Sequence, residues 1–143
     1  MAANVLVDAG FVVALLSRRD SHHHWAVAQA PHHAPPWRTC EAVLSEAFHL
    51  LGARGAPALC ALLRRRAVVT AFDLAREVEP VLRLVTKYAS VPMSLADACL
   101  VRMTERLADP VVLTTDADFR IYRRNGRHIV PCVTPSSLPF AVT

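Results

Sequence analysis

The chain has little of what most often organises a protein of its size. Lysine is almost missing: Lys87 is the only one, so positive charge falls to arginine. The four cysteines, Cys40, Cys60, Cys99 and Cys132, include no Cys-x-x-Cys pair. That spacing gives no support to a zinc site or a disulfide framework, and each thiol is expected to pack as a small apolar group in a reducing compartment. No apolar run approaches the ~20 residues a membrane span needs, and the first is broken by Asp8 and Gly10 with no basic leader before it. The chain therefore reads as soluble and cytoplasmic. Repeats, low-complexity tracts and linker-like stretches are absent as well. At 143 residues and 53% hydrophobic composition, one domain over residues 1–143 with a single core is expected.

What is present is basic. The net charge is +4 and the sequence pI about 9.2, concentrated in Arg18-Arg19, Arg64-Arg65-Arg66, and Arg123-Arg124 with Arg127. Such a balance suits a phosphate backbone as partner, although for any one cluster a solvated helix end is the simpler reading. Short β-like runs alternate with helical stretches, the pattern of an α/β layer with a largely parallel sheet. Strands are expected near 4–7, 37–39, 68–71, 111–114 and 128–133. Helices are expected over 10–16, from 21 or 22 to 30, and near 41–51, 56–66, 74–88 and 94–107, with Gly52 and Gly55 breaking the third from the fourth.

Four carboxylates stand out against this pattern. Asp8 and Asp116 each follow an apolar strand, and open parallel sheets bind ligands at the carboxyl ends of their strands. Glu46 has Ala42, Val43, His49 and Leu50 at helical spacing, and Asp97 lies in the first turn of a helix capped by Ser94, so both are expected to point inward. Each has an ordinary reading alone, as a helix cap or an Arg partner. Together they suggest one cleft. Two carboxylates ~5 Å apart at an effective dielectric near 20 repel by about 3 kcal/mol, a cost that a divalent ion offsets. Hard oxygen ligands select Mg²⁺ or Mn²⁺, which activate water and stabilise an in-line phosphoryl displacement.

The run Leu6-Val7-Asp8-Ala9-Gly10-Phe11-Val12-Val13-Ala14-Leu15-Leu16, continuing through Arg18-Arg19-Asp20-Ser21-His22-His23-His24-Trp25-Ala26, resembles the opening of PIN-domain ribonucleases, specifically the VapC-like toxins of bacterial toxin–antitoxin pairs. Thr39 to Leu51 resembles that family's glutamate-bearing block, Ser94-Leu95-Ala96-Asp97-Ala98 its third and Leu113-Thr114-Thr115-Asp116-Ala117-Asp118-Phe119 its fourth, so the likeness spans residues 4 to about 133. The resemblance implies a PIN-like three-layer α/β/α sandwich and a Mg²⁺- or Mn²⁺-dependent endoribonuclease whose cleft a cognate antitoxin blocks. It assigns Asp8, Glu46, Asp97 and Asp116 to the metal site, with Asp118 as an auxiliary acid, Thr115 as a hydroxyl lining the site and Glu41 a poorer match than Glu46. This sequence departs from the family at Ala9-Gly10, where many relatives carry a hydroxyl residue. A homodimer through another face is left open.

Other features carry less. His22-His23-His24 diverge by roughly 100° per residue on a helix, so at most one or two could share an ion, and an exposed helix start is the simpler reading. Trp25 and Trp37 suit base stacking or an antitoxin contact, with core packing the simpler alternative. A receiver domain would need an acidic pair after the first strand, and a haloacid-dehalogenase-type phosphatase a second Asp where Gly10 stands. The alternative from another class is a catalytically silent PIN fold that binds RNA or a protein partner.

Overall fold

The computed structural model describes residues 3–136. Its frame is a five-stranded sheet in the order β3-β2-β1-β4-β7, every neighbouring pair parallel. The strands are β1 (Asn4–Val7), β2 (Trp37–Thr39), β3 (Val68–Thr70), β4 (Pro110–Leu113) and β7 (Cys132–Val133). Val5, Leu6, Val7, Val112 and Leu113 are buried, as expected for central strands covered on both faces. The helices are α1 (Ala9–Leu16), α2 (His23–Gln29), α3 (Glu41–Arg64), α4 (Val78–Lys87) and α5 (Leu95–Arg106). The chain winds outward from β1 through β2 to β3, then returns across β1 to β4. Right-handed crossovers therefore put α1 to α3 on one face and α4 with α5 on the other. This is the α/β/α sandwich expected from the sequence. No helix of the described residues is long and apolar enough to cross a membrane.

Phe11 joins the first helical layer to the sheet, its ring edge-on to both Trp25 (5.8 Å) and Trp37 (5.5 Å). Trp37 is buried and its indole N–H donates to the His33 carbonyl, so it serves the core, while Trp25 is half-buried against that core. Among the His triplet, His23 is tied by Nδ1 to the Ala14 carbonyl at 2.7 Å.

One expected boundary is kept and two depart from the sequence reading. The break expected between the helices near 41–51 and 56–66 is present within α3 at Gly52, whose φ of 65° and ψ of −170° are not helical and are accessible essentially to glycine alone. The helix near 74–88 begins as a separate 3-10 turn at Leu74–Arg76, capped by Asp73. The strand near 128–133 divides in two. Its first part, β6 (His128–Ile129), pairs antiparallel with β5 (Arg123–Arg124), and only β7 reaches the main sheet. Pro131 between them has no N–H for a ladder, and Asn125 (φ 51°) and Gly126 (φ 82°) supply the left-handed turn that folds the ribbon back.

Candidate metal centre at the switch point of the sheet

β1 and β4 are neighbours, yet the chain leaves them in opposite directions, which opens a crevice beyond their carboxyl ends. Asp8 is the first residue past β1, and its N–H donates to the Leu113 carbonyl at the end of β4. It also caps α1, Oδ1 accepting from the Ala9 N–H at 2.8 Å. Across the crevice, Asp116 caps the 3-10 turn Ala117–Arg120, Oδ1 accepting from the Asp118 N–H at 2.9 Å. Asp97 arrives from α5, whose N-terminus is fixed by a reciprocal capping box with Ser94. One carboxylate oxygen from each of Asp8, Asp97 and Asp116 lies within 4.8 Å of the other two.

Thr114 welds two of these acids together. Its buried hydroxyl donates to Asp8 Oδ2 at 2.8 Å and accepts from the Asp116 N–H at 2.9 Å. Tyr122 holds the third: wholly buried between Phe119 and Tyr88, it donates its hydroxyl to Asp97 Oδ2 at 2.9 Å. The Ser94 N–H approaches the same oxygen at 3.4 Å, which leaves Asp97 Oδ1 without a hydrogen-bond partner among the described residues. Neither Thr114 nor Tyr122 is singled out by the sequence reading. Thr115, which is, makes a different contact. A Cβ placed on Gly10 would lie 2.1 Å from the Thr115 hydroxyl, so that hydroxyl fills the space vacated by the missing side chain after Asp8.

The electrostatics follow from burial. Desolvation, then the charge of Asp97 and more weakly that of Asp116, pushes the Asp8 carboxyl up to about 7; the Thr114 and Ala9 hydrogen bonds work against this. Burial also raises Asp97 despite the Tyr122 bond, and burial followed by the Asp116 charge raises Asp118. Every charge that acts on Asp8 and Asp97 in this way is another carboxylate. The strongest ion-pair network of the described residues, Arg102 with Glu77 and Glu105, lies elsewhere. Three hard oxygen donors crowded together, with no cation beside them among the described residues, fit a divalent ion of the magnesium class.

Glu46 corrects the expectation of an inward carboxylate. It is exposed on α3 and outside the group of three, because the buried stripe of that helix runs through Val43 and Ala47 and leaves position 46 on its flank. Asp118 is half-buried and also outside the group.

Tyr122→Phe is expected to preserve the aromatic packing and release Asp97 Oδ2. Loss of such a supporting hydrogen bond costs roughly 10- to 100-fold in metal affinity. Mn²⁺ binding followed by electron paramagnetic resonance checks this; unchanged affinity would show that Ser94 alone orients the carboxylate.

A profile of the PIN domain matches residues 5–125. Among solved structures, the fold is similar to that of VapC20 from Mycobacterium tuberculosis, described as a toxin that cleaves the sarcin-ricin loop. The TM-score is 0.72 at 23% identity, covering 80% of this chain and 91% of that one. Curated proteins yield no match. With that profile spanning most of the chain, the chain belongs to the PIN-domain family.

Proposed function

We propose that this protein is a divalent-metal-dependent endoribonuclease acting as the toxin of a toxin–antitoxin pair. The observation that supports it best is the convergence of Asp8, Asp97 and Asp116 at the switch point, in a protein of net charge +4. Mg²⁺ or Mn²⁺ held there would supply a water activated for attack and a positive charge for the phosphoryl oxygens. In this reading Asp8, Asp97 and Asp116 hold the ion, Thr114 and Tyr122 fix the carboxylates that touch it, and Asp118 is auxiliary. Glu46, exposed on α3 and outside the group of three, is kept as the fourth acid of the metal site, as the family resemblance implies. RNA is the substrate, consistent with the family and the arginine-rich surface. The VapC20 fold supports an antitoxin as partner, which would silence the site by bringing a cation to the same carboxylates.

The test uses purified protein and total RNA. Cleavage should need Mg²⁺ or Mn²⁺, disappear with EDTA, and fall sharply in Asp97→Asn and Glu46→Gln. Asp116→Ala should damage it more than Asp118→Ala. Expression should arrest growth, relieved by co-expressing the small neighbouring open reading frame. Cleavage undiminished in EDTA would overturn the metal mechanism. Harmless expression of a protein that cuts RNA would leave a housekeeping nuclease, and RNA binding without any cutting would favour the silent PIN fold.

A further inference from the structure

The three arginine clusters of the sequence are not equivalent in space. Arg64 ends α3 and, with Arg65 and Arg66, precedes β3, whose first pairing is opposite Trp37 at the start of β2. That places them at the amino edge of the sheet, away from the acids. Arg18 and Arg19 likewise follow α1 on its way from the acidic edge. The third cluster starts beside the acids and runs from there along α5, where Arg124 donates to the Thr104 carbonyl. Arg123 and Arg124 form β5, directly after Tyr122, whose hydroxyl is bonded to Asp97.

This ribbon closes one side of a cleft of about 490 Å³ whose other walls are α4 and α5. Glu77, just before α4, pairs with Arg102 and Arg106 late in α5, while Tyr88 just after α4 meets the Tyr122 ring at 5.1 Å. The two helices are therefore antiparallel, and the cleft is linked to the carboxylate cluster through Tyr88, which follows its lining residue Lys87, and Tyr122, which precedes its lining residue Arg123 and bonds Asp97. Arg83, Lys87, Arg102 and Arg123 line it against one acid, Glu105. Arg102 is engaged by Glu77 and Glu105. Arg123 uses Nη1 to bind the carbonyls of Arg120, Ile121 and Tyr122, which anchors the ribbon. The remaining cations are available. Lys87, the only lysine, donates one bond to the Gly126 carbonyl at 3.1 Å and keeps two ammonium protons. Arg83 is exposed and has no ion-pair partner among the described residues. Arg127 and His128 stand exposed at the tip of the ribbon.

We propose that the cleft between α4, α5 and the β5–β6 ribbon binds the phosphate backbone of the RNA strand flanking the cleaved bond. The acid cluster repels RNA until metal is bound, so a separate cationic surface is needed to hold the strand beside it. A lysine and an arginine one helical turn apart on α4, facing a basic ribbon, follow a backbone without reading bases. The assignment of RNA rests on the proposed nuclease reading.

The test separates binding from cutting. Labelled oligouridylate is titrated against the full chain in EDTA, where the acids contribute no attraction, over a range of salt. Arg83→Gln with Lys87→Gln is compared with Arg64→Gln and Arg65→Gln, which removes the same charge at the amino edge. The α4 pair should lose roughly tenfold in affinity at low salt, and the slope of log K against log salt should shrink by about 1.4, 0.7 for each phosphate contact on a single strand. The control pair should change both much less. Arg127→Gln, on the exposed ribbon tip, provides a variant that leaves the Lys87 bond to Gly126 in place and should show a smaller loss in the same direction. With Mg²⁺, the α4 pair should raise KM for long RNA while sparing kcat and the cleavage of a dinucleotide too short to reach the cleft. Equal losses in the two double variants, or none in either, would overturn the cleft. If wild-type protein binds oligouridylate through α4 but cuts no RNA with any metal, the cleft stands and the nuclease reading falls.

Discussion

Asp8→Asn is expected to end RNA cleavage and, in metal-free buffer, to make the protein more stable than wild type. Asp8 is 6% exposed, and burial together with the Asp97 charge raises its carboxyl from 3.8 to about 7. Below pH 3.8 the group is protonated whether the chain is folded or not, and nothing is lost. Between 3.8 and about 7 the unfolded chain gives up the proton while the folded chain keeps it, so stability falls as pH rises. Above 7 the full penalty is present, about 4 kcal/mol on the order-of-magnitude linkage scale. Asparagine has nearly the same shape and no charge, so the variant should lack that slope. Thermal unfolding in EDTA at pH 5 and pH 8 measures it: the difference between variant and wild type should widen toward pH 8. Saturating Mg²⁺ should then favour wild type, adding about 2.7 kcal/mol at 100 times Kd while the variant, missing a ligand, gains less. Activity should drop by more than the roughly 100-fold typical of supporting residues. A stability difference independent of pH would mean that Asp8 is not the strained acid of the cluster.

The legibility of this site in the sequence divides along physical lines. Asp8 and Asp116 follow apolar strands, and Asp97 follows a Ser cap, so chain-local patterns place each at the end of its element. The family resemblance then supplies the reason to bring them together. Glu46 shows where periodicity stops: spacing gives an angle about the axis of a helix, but whether position 46 faces the core depends on how α3 lies against α1 and the sheet. Its neighbours Leu50 and His49, apolar or bulky in the pattern, are exposed beside it. The ribbon was available in the Asn125-Gly126 pair, a strong hairpin signal that an apolar reading of 128–133 overlooks. Thr114 and Tyr122 carry no comparable mark. A threonine after a strand and a tyrosine after a 3-10 turn are ordinary residues, and their roles depend on contacts 106 and 25 positions away.

Thr114→Val should be costly for a change that preserves shape, because the hydroxyl is the tether between β1 and the Asp116 turn. Valine removes the donor to Asp8 Oδ2 and the acceptor for the Asp116 N–H, both 2.9 Å or shorter and centred on a fully buried side chain. Leaving two polar groups without these partners costs about 2–6 kcal/mol, at 1–3 for each. The Thr114 bond also lowers the Asp8 carboxyl against the pull of burial. Its loss raises that group further, so Asp8 stays protonated to higher pH and the pH at which Mn²⁺ binds should move upward. Thr114→Ser keeps the hydroxyl and gives up one methyl, worth about 0.8 kcal/mol. Serine should therefore retain the wild-type metal-binding pH with a small loss of stability, whereas valine shifts both. Denaturant unfolding in EDTA and Mn²⁺ titrations between pH 6 and 9 read the two quantities independently. If valine and serine lower stability equally and leave the Mn²⁺ pH profile unmoved, Thr114 acts through packing alone and the two acids are held by their caps.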